Sequence, residues 1–215
     1  MSIICSKNLI LYSEAVNKMK LIVDDIALNK SEDVIWLLEH YSIYTSGYTT
    51  YNDWFNKYGD MINGIPLIET ERGGQITYHG PGQRVCYFMI DLRRKYHEIN
   101  LKKFLDDIHN IIINAIAEFG IIGIKDPIYP GIWVKCGSAM NKIAAIGIRI
   151  SKGISYHGVA LNVNTDLKFF QSITPCGIDE KNRGVTSLKA ILKKEMQLEI
   201  IDQLLIKYIS IVYQN

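Results

Sequence analysis

The stretch from Arg72 to Gln83 constrains the fold most, because its composition excludes one continuous helix or strand. It reads Arg-Gly-Gly-Gln-Ile-Thr-Tyr-His-Gly-Pro-Gly-Gln, with four glycines and one proline. Glycine allows positive φ and a close approach to a ligand, and proline limits flexing. Apolar runs at 65–68 and 85–90 predict a strand on each side. We therefore expect a ligand-binding loop that joins two strands, with an ordinary polar connection as the alternative.

The rest of the chain alternates helical and strand-like patterns. Apolar residues recur at helical spacing over 13–27, with Ser13 as the expected N-cap, and over 101–119. In the second helix His109 lies off the apolar stripe and is expected to face solvent. Strands are expected at 34–39, 121–124, 131–134, 142–150 and 157–163, a polar aromatic loop at 45–54, and closing helices at 186–194 and 198–213. Without a strict βαβ rhythm, these elements predict an α/β fold with a mixed sheet flanked by helices.

Composition sets limits on the class of protein. With 215 residues and 48% hydrophobic content, residues 1–215 are expected to form a single domain. A net charge of +2 gives no indication of a nucleic-acid partner. No segment has the pattern of a secretory leader or the length of a membrane span, so we expect a cytoplasmic protein without a membrane partner. The four cysteines are widely separated and form no C-x-x-C motif, so neither a metal site nor a dense disulfide framework is indicated. No cofactor is expected.

Cys176 is the candidate nucleophile, because it lies between Pro175 and Gly177 in Thr-Pro-Cys-Gly-Ile rather than in an apolar run. A rigid turn of this kind can present a thiol to a substrate, but a reactive thiol also needs a neighbouring cation or base. The candidates for that neighbour are His79, His157 and Lys142. Spacing alone does not choose among them, and a lysine at the start of a strand is commonly just solvated.

Several motifs together resemble those of the lipoyl(octanoyl) transferase family. Beside the Arg72–Gln83 stretch, the matching motifs are Gly131-Ile-Trp-Val134, Lys142-Ile-Ala-Ala-Ile-Gly147, His157-Gly-Val-Ala-Leu-Asn-Val-Asn164, Pro175-Cys-Gly-Ile178 and Gly184-Val-Thr-Ser-Leu188. The resemblance covers about residues 36–188 in the family's order. The chain departs from the family pattern at His40-Tyr-Ser42, where many members have His-Pro-Pro, and at residues 135–141, which look long.

The resemblance implies a fold similar to the catalytic domains of biotin and lipoate protein ligases. It implies that Cys176 carries the acyl group as a thioester and that Lys142 lowers the pKa of this cysteine. The implied acyl pocket has three parts, which are Arg72, Gly73, Gly74, Gln75, Ile76, Thr77, Tyr78 and His79; Ala145, Ile146 and Gly147; and Gly158, Val159 and Ala160.

The implied reaction moves an octanoyl or lipoyl group from acyl carrier protein to a lysine of a lipoyl-domain protein. The implied acceptors are the lipoyl domains of 2-oxoacid dehydrogenases and the glycine cleavage H protein. Basic runs at 93–95 and 102–103 suggest a docking face for the acidic carrier, with solvated helix charges as the alternative.

Two other functions fit parts of the sequence. An ATP-dependent lipoate or biotin protein ligase would share the fold, but it needs an adenylate site and no nucleophilic cysteine. A non-catalytic acyl-carrier-binding scaffold would make Cys176 incidental. The Pro-Cys-Gly motif and the lack of a nucleotide motif favour the transferase.

Overall fold

The computed structural model describes residues 1–173 and 182–213. Its strands are β1 Ser2–Ile10, β2 Val34–His40, β3 Ile43–Gly47, β4 Met61–Ile62, β5 Ile65–Thr70, β6 Thr77–His79, β7 Gln83–Met89, β8 Gly123–Lys125, β9 Ile132–Cys136, β10 Ala139–Ser151, β11 Ile154–Asn162 and β12 Arg183–Val185. Its α-helices are α1 Tyr12–Ala27, α2 Tyr48–Tyr58, α3 Leu92–Tyr96, α4 Leu101–Ala117, α5 Leu188–Leu192 and α6 Leu198–Tyr213, and a 3₁₀ turn covers Leu167–Phe170.

The strands form a large mixed sheet and a small one. Within the described residues the large sheet has the order β1-β2-β7-β11-β10-β9-β8, with β12 paired to β10. The pairs β1–β2 and β10–β12 are parallel, and the other pairs of this sheet are antiparallel. The small sheet has the order β4-β5-β3-β6. The predicted mixed sheet flanked by helices is thus confirmed.

Helices cover both faces of the large sheet, which explains why its central strands are apolar on both sides. Helices α4 and α6 pack on one face around Phe88, Phe104 and Leu205. Helix α1 packs on the other face, with Met19 and Val23 against Trp36 and Tyr87. Beside α1, the small sheet and the 3₁₀ turn share a separate cluster of buried residues.

Local structure differs from the sequence prediction in the segment that was expected to be a polar aromatic loop. Residues 48–58 form α2, because aromatic side chains four residues apart stack along one side of the helix. Tyr51 stacks on Phe55 with ring centroids 5.6 Å apart, and Trp54 stacks on Tyr58 at 5.9 Å. The expectation of a loop was wrong, since the polar residues between these rings hid the four-residue spacing.

Three smaller predictions also need correction. The 72–83 stretch contains the short strand β6, and the predicted N-cap Ser13 lies inside α1, which begins after Leu11 without a side-chain cap. His109 is half-buried rather than solvent-facing, and its Nδ1 donates to the Leu105 carbonyl at 2.6 Å. Burial lowers the pKa of His109.

The described helices include none with both the length and the apolar character of a bilayer span.

Candidate active site

Small residues on two central strands form the floor of a cavity on the α1 face of the large sheet. Ala145 pairs with Ala160, and Gly147 pairs with Gly158, across the β10–β11 ladder. A Cβ on Gly147 would lie 3.0 Å from Cδ of Arg72, and one on Gly158 would lie 1.8 Å from the Cys86 carbonyl oxygen. A larger residue at either position would therefore displace the backbone or the glycine loop. Because both positions are glycine, space remains above the strands for a chain.

The glycine loop closes over this floor and is fixed by backbone contacts. The amide of Gly73 donates to the Ile148 carbonyl at 3.1 Å. The Arg72 guanidinium is buried and donates to the Thr45 carbonyl at 2.6 Å and to the Gly73 carbonyl at 3.0 Å. Gly74 has a φ of 89°, a conformation that strongly favours glycine. The loop is therefore tied to both sheets and holds Arg72 as part of the cavity wall.

The structure brings most of the expected acyl-pocket residues together around this cavity. The expected residues that line it are Arg72, Gly74, Gln75, Thr77, His79, Ala145, Ile146, Gly147, Gly158, Val159 and Ala160. Gly73 makes the backbone contact to Ile148 without lining the cavity. Ile76 and Tyr78 point away into the small-sheet cluster, where Tyr78 stacks on Phe169 at 4.6 Å. A role in acyl binding remains a prediction for all of them.

Four further residues line the cavity, namely Tyr12, Val85, Tyr87 and His157. Of these, only His157 was singled out in the sequence, and then as a partner for the cysteine. Tyr12 comes from the first turn of α1, and its ring lies 6.0 Å from that of His79 and 6.4 Å from that of His157. Sequence reasoning missed Tyr12 because the predicted helix began at Ser13, which left Tyr12 outside it, and no motif marks this residue.

Two buried histidines, His79 and His157, lie in this wall and a third, His40, packs beside them against His79 and Tyr87, and burial keeps all three neutral. The pKa of His40 falls to about 4 and that of His157 to about 3, chiefly because burial removes hydration of the charged form. The pKa of His79 is also well below its usual range, because of burial, then the nearby His40 and Arg72. His79 Nδ1 donates to Gln83 Oε1 at 2.7 Å, and Tyr87 donates its hydroxyl to His40 Nε2 at 2.7 Å. Such fixed neutral rings suit a cavity wall.

These lowered pKa values predict acid sensitivity. Below pH 6.5 the unfolded chain takes up protons that His40 and His157 cannot take up when folded, so stability is lost as the pH falls from 6.5 towards 4. Each histidine should lower the free energy of unfolding by about 1.4 kcal/mol per pH unit in this range. Urea unfolding between pH 7 and 5 measures this slope.

The His157→Asn variant tests the assignment, because Asn does not titrate and tolerates the positive φ of this residue, 61°. Its stability should fall less steeply with acid than that of the wild type. His97→Asn is the matched control, since His97 is exposed and has a φ of 63°. Equal slopes in His157→Asn and wild type would contradict the lowered pKa of His157.

Lys142 lies at one end of the same floor, at the start of β10. A register shift between Lys142 and Ala144 changes the side-chain alternation there, as a bulge does. The lysine lines a small cavity together with Thr77, Ala145 and Ala160, which also line the larger one. The two cavities are therefore neighbours, and Lys142 marks one end of the site.

The Lys142 side chain is buried, with 3% of its surface exposed. Its stem passes Gly131, where a Cβ would lie 3.2 Å from the lysine Cδ, and its Nζ lies 5.0 Å from the Trp133 ring centroid. Among residues 1–173 and 182–213, Nζ has no hydrogen-bond partner. A buried ammonium without a partner is costly, by several kcal/mol, and is rare outside functional sites.

The predicted nucleophile Cys176 lies outside the described residues. The flanking chain is described on both sides, and Phe170 and Val185 both line the cavity that contains Lys142. Val185 also pairs with Lys142 across the β10–β12 ladder. Both flanks of the segment that carries Cys176 therefore meet at the lysine.

The basic run at 93–95 lies at the other end of β10 from Lys142. The Leu92 amide donates to the Gly153 carbonyl at 3.1 Å, which places α3 beside the β10–β11 turn, about 30 Å along the sheet from the lysine. Arg93 pairs with Asp91, and Arg94 pairs with Asp33. The placement favours the alternative in which these residues are solvated helix charges, rather than a carrier docking face.

Known proteins resemble this chain in sequence and in fold. Residues 12–210 match the family described as lipoyl protein ligase A/B catalytic domain. The chain is 44% identical over 181 residues to an octanoyltransferase of Maricaulis maris, covering 82% of this chain and 76% of the relative. It is 42% identical over 204 residues to an octanoyltransferase of Anaplasma phagocytophilum, covering 94% and 93%.

Solved structures of ligases share the fold at low sequence identity. One is the bipartite lipoate protein ligase of Thermoplasma acidophilum, with a TM-score of 0.66 and 15% identity, covering 99% of this chain and 83% of that chain. Another is the biotin protein ligase of Aquifex aeolicus, with a TM-score of 0.52 and 15% identity, covering 100% and 69%. The expected likeness to the ligase catalytic domains is confirmed, and at this identity it concerns the fold alone.

Proposed function

We propose that this chain, which belongs to the octanoyltransferase family, transfers an octanoyl group to a protein lysine in lipoate biosynthesis through a thioester on Cys176. The observation that carries the mechanism is the buried Lys142 Nζ, which has no hydrogen-bond partner within residues 1–173 and 182–213. A Cys176 thiolate beside the protonated amine would satisfy this nitrogen. Cys176 comes only three residues after the described Ile173, so the extended chain between them spans at most about 11 Å.

In the first step the Cys176 thiolate attacks the carbonyl carbon of the donor thioester. The carbon–sulfur bond to the donor breaks, and the donor leaves as a thiolate that takes up a proton. One thioester replaces another, so the step is nearly isoenergetic. Lys142 as a cation favours the thiolate form of the attacking sulfur.

In the second step the acceptor's lysine amine attacks the enzyme thioester. The bond from the acyl carbon to the Cys176 sulfur breaks, an amide forms, and the amine loses a proton. Amide formation runs downhill from a thioester, so the reaction needs no ATP. Lys142, which becomes neutral when it gives its proton to the leaving donor thiolate in the first step, can accept that proton.

We propose that octanoyl-acyl carrier protein is the donor. The proposed acceptors are the lipoyl domains of 2-oxoacid dehydrogenases and the glycine cleavage H protein. We also propose that the reaction takes place in the cytoplasm, without a nucleic-acid or membrane partner. The floor of Ala145, Gly147, Gly158 and Ala160 supports an acyl substrate, because such small residues leave the space above the strands open.

Intact mass spectrometry tests the function directly. The purified protein is mixed with octanoyl-acyl carrier protein without ATP, and we expect a mass increase of one octanoyl group. Adding a lipoyl domain should move that mass to the domain. A protein that modifies the domain only with free octanoate and ATP would instead be a ligase, and one that acquires no acyl group from the carrier would be a binding protein.

A further inference from the structure

We infer that Tyr12 and His157 form the end wall of the acyl cavity and so set the longest chain that the site accepts. The inference rests on the proposed octanoyl transfer and adds a determinant of chain-length specificity. It concerns the end of the cavity opposite Lys142, where no residue has been assigned a role.

The strand register gives the direction and the length of the cavity. Ala145 and Ala160 pair at the end that borders the Lys142 cavity, and Ile148 pairs with His157 three residues further along β10. Three strand residues span about 10 Å, which is close to the length of an extended eight-carbon chain. An acyl group with its carbonyl near Lys142 would therefore end at the level of His157.

His157 blocks the cavity because of an unusual backbone conformation. Its φ is 61°, which is rare for a residue other than glycine and turns the side chain out of the regular strand alternation. The imidazole thereby lies on the same face as the rings of Tyr87 and Tyr12, at centroid distances of 5.9 and 6.4 Å. A residue held in this conformation despite the strain is a sign of function.

Tyr12 completes the wall from the side of α1. Its ring and the imidazole of His157 are stacked with an interplanar angle of 20°, and both side chains are buried. These two residues line both the acyl cavity and a second groove beyond it. They are therefore the partition between the two spaces.

The groove beyond the wall has apolar as well as charged side chains in its lining, so it can receive a longer alkyl chain once the wall is removed. Besides Tyr12 and His157, its lining includes Val16, Ile68, Lys20, Glu69, Glu71 and Arg149. Lys20 pairs with Glu71 at 2.9 Å, and Tyr156 donates its hydroxyl to the same carboxylate. The wall thus separates an acyl site from a charged groove, and removing it should allow chains longer than octanoyl to enter that groove.

The His157→Gly variant removes the imidazole and is compatible with the positive φ. Its rate of self-acylation is measured by intact mass spectrometry with N-acetylcysteamine thioesters of octanoic, decanoic and dodecanoic acid, which need no carrier. We expect the dodecanoyl-to-octanoyl rate ratio to rise at least about tenfold over wild type. Tyr12→Ala should raise it as well, whereas Tyr12→Phe keeps the ring and should leave the ratio unchanged.

The wild-type protein supplies a test that does not depend on the folding of any variant. Its rate should fall sharply from octanoyl to dodecanoyl, and equal rates would overturn the inference. Unchanged ratios in both His157→Gly and Tyr12→Ala would overturn it too, while octanoyl transfer itself persists. A wild-type protein that takes no octanoyl group from any donor would instead refute the proposed function.

Discussion

Replacing Cys176 with alanine should abolish octanoyl transfer, with a loss of at least about a thousandfold, because it removes the thiol proposed to carry the acyl group. Intact mass spectrometry with an octanoyl thioester should find no acyl adduct on this variant. The assay isolates the chemical step, because a small thioester needs no carrier docking. A non-catalytic carrier-binding protein would show no dependence on this thiol.

Cys5→Ala is the matched control, since Cys5 is an exposed free thiol on β1 that could be acylated without function. Burial raises the pKa of Cys5, and the nearby Asp202 adds to that rise, so its thiol is a poor nucleophile at neutral pH. This variant should keep the wild-type rate. An adduct that persists in Cys176→Ala and disappears in Cys5→Ala would refute the thioester assignment.

The sequence predicted the helices and strands of this fold well where the pattern of apolar residues continued over many residues. The apolar rhythm of α4 continues for over four turns, so its buried face with Phe104 and Ile108 follows from spacing alone. The central strands were also identified, because strands covered on both faces are apolar throughout. Strand β1 was missed because polar residues such as Ser6 and Lys7 interrupt its apolar pattern and its partner lies 30 residues away.

The candidate site was predictable to the extent that its residues lie in recognisable motifs. The loop, the floor and Lys142 each form part of such a motif, and the structure places them together. Tyr12 carries no such signal, since only the packing of α1 on the sheet brings it to the cavity. The wall formed by His157 depends on a φ of 61°, and nothing in the sequence indicates that a histidine adopts it.

The positions of the basic residues relative to one another along the sheet could not be deduced from the sequence either. Strand register places Lys142 at one end of β10 and the run at 93–95 at the other, although both follow apolar strands in the chain. A basic run is visible in composition, but its distance from Lys142 depends on how β10 and β11 pair. Docking of a carrier at this run remains a prediction, and the distance favours the alternative of solvated helix charges.

Replacing Lys142 with methionine should preserve the fold and lower the rate of octanoyl transfer at pH 7 by about a hundredfold or more. Methionine keeps an unbranched stem that fits between Gly131 and Trp133, and it removes a buried charge, which is commonly neutral or stabilising. Lys135→Met is the matched control, because Lys135 is an exposed lysine on the neighbouring strand β9.

The pH dependence of alkylation then separates activation of the thiol from a merely structural role of Lys142. If the ammonium stabilises the Cys176 thiolate, iodoacetamide should modify Cys176 in the wild type at a lower pH than in Lys142→Met. The variant should approach the wild-type alkylation rate only near pH 9, where an ordinary thiol ionises without help, since its pKa is about 8.5. Lys135→Met should follow the wild-type profile. If all three proteins show one profile, Lys142 does not activate the cysteine.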